Sequence, residues 1–373
     1  MGLGFTDEQL QFRDVVQRFL KEKSPPGEVR RLMEQSQGFD PAVWQQLSEE
    51  LALAAIHIPE KYGGQGFGVV ELGIVMEEMG RSLLCAPYFS STVLAATAIL
   101  NAGSEAQKLK LLPKIASGNC IATLAFTEPN KRWDADGIEL LATAEDDGFR
   151  LDGVKSYVLD GHIADLIILV VRQSDDDSLA FFAVDGDATG LERSLLQTMD
   201  ATRKQARLEF TGVAGELLGD PDIAASALAK TLDLAAIALA NEMVGGAQQL
   251  LDTAIDYSSI RVQFGRTIGS FQAIKHKCAD LLVAIELAKS AAYYAASAAD
   301  EGAEDLPAIA SLAKSSAADA YMQAARDCIQ IHGGIGFTWD HDTHLWFKRA
   351  KSSEVFLGDP GYHRELMMQR WYA

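Results

Sequence analysis

Near the C-terminus, Cys328-Ile329-Gln330-Ile331-His332-Gly333-Gly334-Ile335-Gly336-Phe337 ends an amphipathic stretch with two adjacent glycines. Such a pair lets a main chain approach a ligand more closely than any residue with a side chain would permit. Upstream stands Arg261-Val262-Gln263-Phe264-Gly265, followed by Phe271-Gln272. Taken singly, a surface ion pair explains the arginine and a helix cap explains the glycines. A third feature is Glu242, set in the apolar run Ile237-Ala238-Leu239-Ala240-Asn241-Glu242-Met243-Val244. A buried carboxylate without a partner is costly and acquires a raised pKa, as a general base poised near neutral pH does. The plainer account is a structural glutamate paired with a cation such as Lys155 or Arg349. Asp359, before Pro360, is a second candidate base, with a local turn hydrogen bond as its plainer role.

The elements that must position these residues fall into three blocks. To about residue 118 the chain reads as helical: Thr6-x-x-Gln9 opens a helix through Leu20 as a capping box does. Pro59-Glu60-Lys61-Tyr62-Gly63-Gly64-Gln65-Gly66 is a glycine-rich loop, and helical periodicity returns at Val70–Arg81 and Ser91–Ala102. At Cys120 the texture changes to short apolar runs, Ile121–Thr127, Leu166–Val171 and Leu179–Val184, with turn signals at Asp146-Asp147-Gly148 and Leu151-Asp152-Gly153. Residues 119–220 therefore read as a small antiparallel β domain. From Pro221 the chain is helical again: Ala224–Ser259, Ile274–Ala299, Leu306–Ile331 and a fourth helix from near Thr343 make a four-helix bundle. The predicted class is α+β, mainly α, with domains at 1–118, 119–220 and 221–373.

In this order and spacing, the Arg-x-x-Phe-Gly and Gln-x-x-Gly-Gly runs resemble the two signatures of the acyl-CoA dehydrogenase family, and the resemblance covers essentially the whole chain. It implies a flavoenzyme that desaturates a CoA thioester between its α and β carbons. It assigns FAD contacts to Arg261, Phe264, Gln272, Gln330, Gly333 and Gly334, lent to a flavin held mainly by a neighbouring subunit. A guanidinium fork suits the pyrophosphate of that cofactor. Phe126-Thr127-Glu128-Pro129 matches the family strand that binds the flavin ring, making Thr127 a contact, and Tyr157 stands where the family places a tryptophan beside it. Asp233 matches a position that hydrogen-bonds CoA. The implied partners are an acyl-CoA substrate, an electron-transfer flavoprotein or similar acceptor, and a second copy or a related chain.

Several positions depart from that pattern. Trp133 replaces a CoA-binding serine, Leu159 a flavin-side hydroxyl, and Ala236 an arginine. Leu357 occupies the position of the glutamate that removes the substrate α-proton, and Ala235 the alternative base position on the first bundle helix. Glu242 lies about two turns beyond Ala235, on a similar face. Three accounts follow. The chain is a dehydrogenase that uses Glu242 or Asp359 as base; it is a silent subunit of a mixed assembly, resembling bacterial members that act on steroid and other lipid side chains; or it binds CoA thioesters without flavin.

Composition narrows the partners. With 373 residues and 48% hydrophobic content the chain can bury a large core. Its net charge of −19 argues against nucleic acid and anionic membranes. Cys85, Cys120, Cys278 and Cys328 lie far apart without metal-ligand spacing, so reduced buried thiols are expected. The N-terminus carries no leader pattern and no apolar run reaches the length a bilayer needs, about 18 residues, so a cytoplasmic protein is expected.

Overall fold

The computed structural model describes residues 4–145 and 148–372, so the Asp146-Asp147 turn signal falls outside the described residues. Thr6 caps the first helix, α1 (Asp7–Lys23), with the reciprocal box the sequence predicts. Its hydroxyl accepts from the Gln9 N–H, and the Gln9 side chain accepts from the Thr6 N–H. The helices α2 (Pro26–Met33), α3 (Pro41–Gln45), α4 (Val69–Ser82), α5 (Thr97–Ala102) and α6 (Glu105–Ala116) follow. The helix expected over Ser91–Ala102 is regular only in α5; Phe89–Ala96 before it winds as a π-helix.

The strands are β1 (Ala122–Ala125), β2 (Leu141–Glu145), β3 (Gly148–Leu159), β4 (Leu166–Gln173), β5 (Leu179–Asp185), β6 (Leu191–Leu195), β7 (Gln205–Ala214) and β8 (Glu216–Leu218). They form one sheet in the order β6-β7-β3-β2-β4-β5-β8, with β1 paired to β4. The expectation of a purely antiparallel sheet is corrected here. β1 runs parallel to β4 with Ala122 opposite Leu166, and β2 runs parallel to β4 with Leu141 opposite Arg172. Turn signals report hairpins between neighbours in sequence; a parallel pair needs a crossover and leaves no such local trace. Ile167, Leu169, Val171, Phe182 and Phe210 close the core on one face of this sheet.

Beyond it come α7 (Ala224–Ile260), the short strands β9 (Val262–Gln263) and β10 (Arg266–Thr267), α8 (Gln272–Glu301), α9 (Leu306–His332), α10 (Thr343–Val355) and α11 (Pro360–Trp371). The expected fourth bundle helix is thus two helices. It breaks at Phe356–Asp359, where Leu357 and Gly358 take φ of 61° and 104°, and Pro360 opens α11. Segment Pro221–Ile260 is long and apolar enough to cross a bilayer by composition, yet 61% of its most apolar window is buried in the protein, as in a core helix.

Packing divides the chain into two compact units that do not follow chain order. One unites residues up to Arg31, Val69–Leu84 and the chain from Ala236 onward; the other holds Leu32–Gly68 and Cys85–Ala235. In the first, α1 and α4 join the C-terminal helices: Arg13 pairs with Glu77 at 2.7 Å, and the Tyr293 hydroxyl donates to the same carboxylate at 2.8 Å. Helices α4 and α7 cross closely. A methyl on Gly80 would lie 1.9 Å from the Glu242 carbonyl oxygen, and one on Gly245 would lie 1.8 Å from that of Glu77.

Candidate functional site

In the first unit, the end of α7 runs into an exposed hairpin. Phe264 and Gly265 both have positive φ, 54° and 79°, the pattern of a two-residue type I′ turn that sets Gln263 opposite Arg266. The conformation is strained for phenylalanine, yet the Phe264 ring is 92% exposed, meeting Phe271 edge-on at 6.2 Å. Arg261 anchors the hairpin through its main chain, donating to Tyr257 O at 2.9 Å and accepting from the Ile268 N–H at 2.8 Å. Its side chain is exposed, and no carboxylate among the described residues engages it. Gln272 is the exposed first residue of α8.

Helix α9 ends beside this hairpin. Gly333 caps it with φ 65° and ψ −142°, a conformation that requires glycine, and Gln330 is exposed one turn earlier. A Cβ added at Gly333 or Gly334 would meet nothing within 4 Å, so the main chain there borders open space. What joins the two segments is a stack that the sequence did not single out. Tyr257, one turn before Arg261, lies flat on His332 with ring centres 4.2 Å apart and 23° between planes. Antiparallel α8 and α9 are cross-linked nearby by Lys277 and Asp327 at 2.5 Å. Arg261, Phe264, Gln272, Gln330, Gly333 and Gly334 therefore gather at one end of the helical bundle. An exposed guanidinium and open glycine main chain fit a diphosphate-bearing cofactor.

Thr127 and Tyr157 belong to the second unit. The Thr127 carbonyl accepts from the Ser156 N–H at 2.9 Å, and its hydroxyl donates to Ser156 O at 2.6 Å. Opposite β7, β3 carries one extra residue between Lys155 and Val158, a bulge, and Tyr157 sits in it with φ 61°. Beneath lies a buried ion pair, Lys155 Nζ to Glu128 Oε1 at 2.6 Å; that oxygen also accepts from the Glu139 and Leu140 N–H groups at 2.9 and 3.0 Å. Burial pushes the Lys155 amine down to about 8 although Glu128 opposes the shift. The partner of Lys155 is thus Glu128. Trp133 packs 6.2 Å from Phe126, and Asp233 and Leu159 are buried.

The two candidate bases have other engagements. Glu242 accepts from Arg349 Nη1 at 2.7 Å, with both side chains about 5% exposed or less. Asp359 caps α11, accepting from the Tyr362 N–H at 2.8 Å. Between them the break that carries Leu357 is tied down from two sides. Lys314, fully buried, donates to Gly358 O at 2.9 Å and Glu354 O at 3.2 Å, and His363 Nε2 lies 2.9 Å from Leu357 O.

Family models for the N-terminal, middle and C-terminal domains of acyl-CoA dehydrogenases match residues 6–119, 123–213 and 225–372. The acyl-CoA dehydrogenase IpdE2 of Mycobacterium tuberculosis is 34% identical over 95% of this chain and 94% of its own. Butyryl-CoA dehydrogenase from Megasphaera elsdenii superposes with a TM-score of 0.93 at 27% identity, covering all of both chains. A chain of the ChsE4-ChsE5 complex from Mycobacterium tuberculosis gives 0.90 at 26% identity, covering 100% of this chain and 99% of that one.

The Lys314 clamp predicts a pH dependence. Burial pushes this amine down from its ordinary 10.5 to about 7 in the fold, against the pull of Asp359, Glu354 and Asp319. Below pH 7 it is charged in both folded and unfolded chains; between 7 and 10.5 only the unfolded chain keeps the proton. Unfolding then takes up a proton, so this group adds stability as pH rises through that window. Urea melts across the window should show wild type gaining on Lys314→Met by at most about 1.4 kcal/mol per pH unit. A constant difference between the two proteins would contradict the assignment.

Proposed function

The chain belongs to the acyl-CoA dehydrogenase family, oxidoreductases that act on the CH–CH bond of an acyl-CoA, and we propose that it works as the cofactor-lending chain of a mixed assembly. Members of this family are flavoproteins, and FAD is the cofactor proposed here. Bound FAD supplies the acceptor for the hydride that leaves the substrate β-carbon. Arg261 and the main chain of Gly333 and Gly334 would hold its pyrophosphate, and Gln272, Gln330 and Phe264 would supply further contacts. A related chain supplies the carboxylate that takes the α-proton from an acyl-CoA of lipid or steroid breakdown. An electron-transfer flavoprotein or similar acceptor is the proposed redox partner of the assembly.

The observation that carries this proposal is the engagement of both candidate bases. A general base must reach the proton it abstracts, and it must be free to take it. Glu242 instead faces an arginine inside the bundle, and Asp359 spends its oxygen on a helix end. The residues suited to a neighbour's cofactor are exposed, while Leu159 in the second unit and Leu357 in the first are each buried. A neighbour solved as a complex of two named chains supports the same division.

Three outcomes test it. The chain purified alone should hold little FAD and bleach no flavin with acyl-CoA, whereas co-expression with a related chain encoded nearby should yield a yellow, active complex. Full turnover by the chain alone would sink the proposal. In that complex, Arg261→Ala should weaken FAD retention through prolonged dialysis, by roughly 1.5–3 kcal/mol for one charge-assisted contact. Glu242→Gln removes the negative charge that faces buried Arg349, so stability should fall by about 3–5 kcal/mol while turnover below the melting range persists. The opposite pattern, intact stability with a rate loss of about 10²–10⁴, would identify Glu242 as the base.

A further inference from the structure

Three aromatic and imidazole rings run in a column from the end of α7 to the turn before α10. Tyr257 stacks on His332, and His332 meets His341 at 4.5 Å with 54° between ring planes. His332 is 4% exposed, and its Nδ1 lies 2.8 Å from Cys328 O. A carbonyl only accepts, so Nδ1 carries the hydrogen and Nε2 is bare in the neutral ring. The 3₁₀ turn Gly333–Phe337 folds back over this ring so closely that a Cβ on Gly336 would lie 2.8 Å from the His332 Cβ. Gly336 O in turn accepts from the Thr343 hydroxyl at 2.9 Å, and the Thr343 N–H donates to His341 Nδ1 at 3.3 Å. Arg30 of α2 fixes the outer end, donating to Asp342 Oδ1 at 2.7 Å and His341 O at 3.1 Å.

We propose that His332 is a positioning residue for the Gly333-Gly334 main chain, a role that rests on the cofactor-lending function above. Its neutral imidazole, wedged between Tyr257 and His341, ties the Arg261 end of α7 to the glycine pair and fixes where those two glycines stand. Two cations stand near the outer end of the column. Arg30 reaches it from α2, and Lys348 from α10 lies over Trp339, whose ring meets His344; Asp342 is already paired with Arg30. Tyr257 from α7 and Cys328 from α9 bring no charge to the ring. Burial and the neighbouring His341 hold His332 below the usual imidazole range, while the Cys328 carbonyl pulls the other way. Protonation on Nε2 would put an imidazolium against His341 with no acceptor described for it, and the column would open.

Hydrogen exchange on the full-length chain reads this directly. From pH about 7.5 to about 5.5, amides of residues 333–343 should exchange several-fold faster than their intrinsic acid dependence predicts. His332→Phe keeps a flat ring that cannot titrate, and should abolish the excess. His332→Ala and Tyr257→Leu should exchange fast throughout the range. A wild type without excess exchange, or an excess that survives in His332→Phe, would overturn the proposal. FAD retention by the co-expressed complex over the same range separates the two ideas. Exchange that responds while FAD content stays constant upholds His332 as the anchor of the Gly333-Gly334 main chain and shows that this glycine pair does not hold the cofactor.

Discussion

A carboxylate closed off from water inside a helical bundle must be matched by a cation, and the bond between Arg349 and Glu242 meets that demand. Much of the first unit depends on it. Glu242 sits where α4 presses on α7 at Gly80, so neither helix has room to shift and expose it. Arg349 lies on α10, so the pair fixes α10 against α7 and sets where the chain stands when it breaks at Leu357. The same bond occupies the oxygen that would have to accept a substrate proton, because Arg349 Nη1 already donates to it inside the bundle. One interaction therefore both builds the scaffold of the half-site and takes away its most conspicuous candidate base.

The long elements were legible because their signals are local. The capping box at Thr6 and Gln9, the uninterrupted run over α7 and the apolar periodicity of α8 and α9 each follow from residues a few positions apart. What escaped has non-local causes. No turn signal distinguishes the parallel pairing of β1 with β4 from an antiparallel one, since it is fixed by the crossover between them. The break between α10 and α11 depends on Leu357 holding a left-handed backbone. Leucine rarely adopts that conformation, so composition gives no warning. The clamp that holds the break draws on Lys314 from α9 and on His363 from the first turn of α11.

The candidate site was legible to a similar depth. The sequence offered Lys155 and Arg349 as alternative partners for Glu242 without deciding between them, since pairing across the chain is set by packing. The structure gives Arg349 to Glu242 and Lys155 to Glu128, and the second pair braces the bulge that strains Tyr157. Arg261 and Gly333 could be read from their motifs. Tyr257 and His332, which bring those motifs together, could not, because a single aromatic on a long helix is far more often core. The available signal was their position: Tyr257 stands one turn before Arg261, and His332 immediately precedes the glycines.

The departures at Leu159 and Leu357 also acquire a physical sense. A hydroxyl at position 159 or a carboxylate at 357 would be a buried polar group whose partner arrives only with a ligand. In a chain that lends its contacts to a neighbour's flavin, as proposed, each would stand unsatisfied and destabilise the fold. Leucine makes no such demand, and both leucines are buried, at 2% and 5% exposure. Thr127 keeps its hydroxyl because Ser156 O gives it an internal partner. At position 127 a hydroxyl persists where the chain itself satisfies it, and at 159 and 357 hydrocarbon stands instead. That is the pattern expected of a half-site released from binding its own cofactor while its outward face still serves a neighbour's.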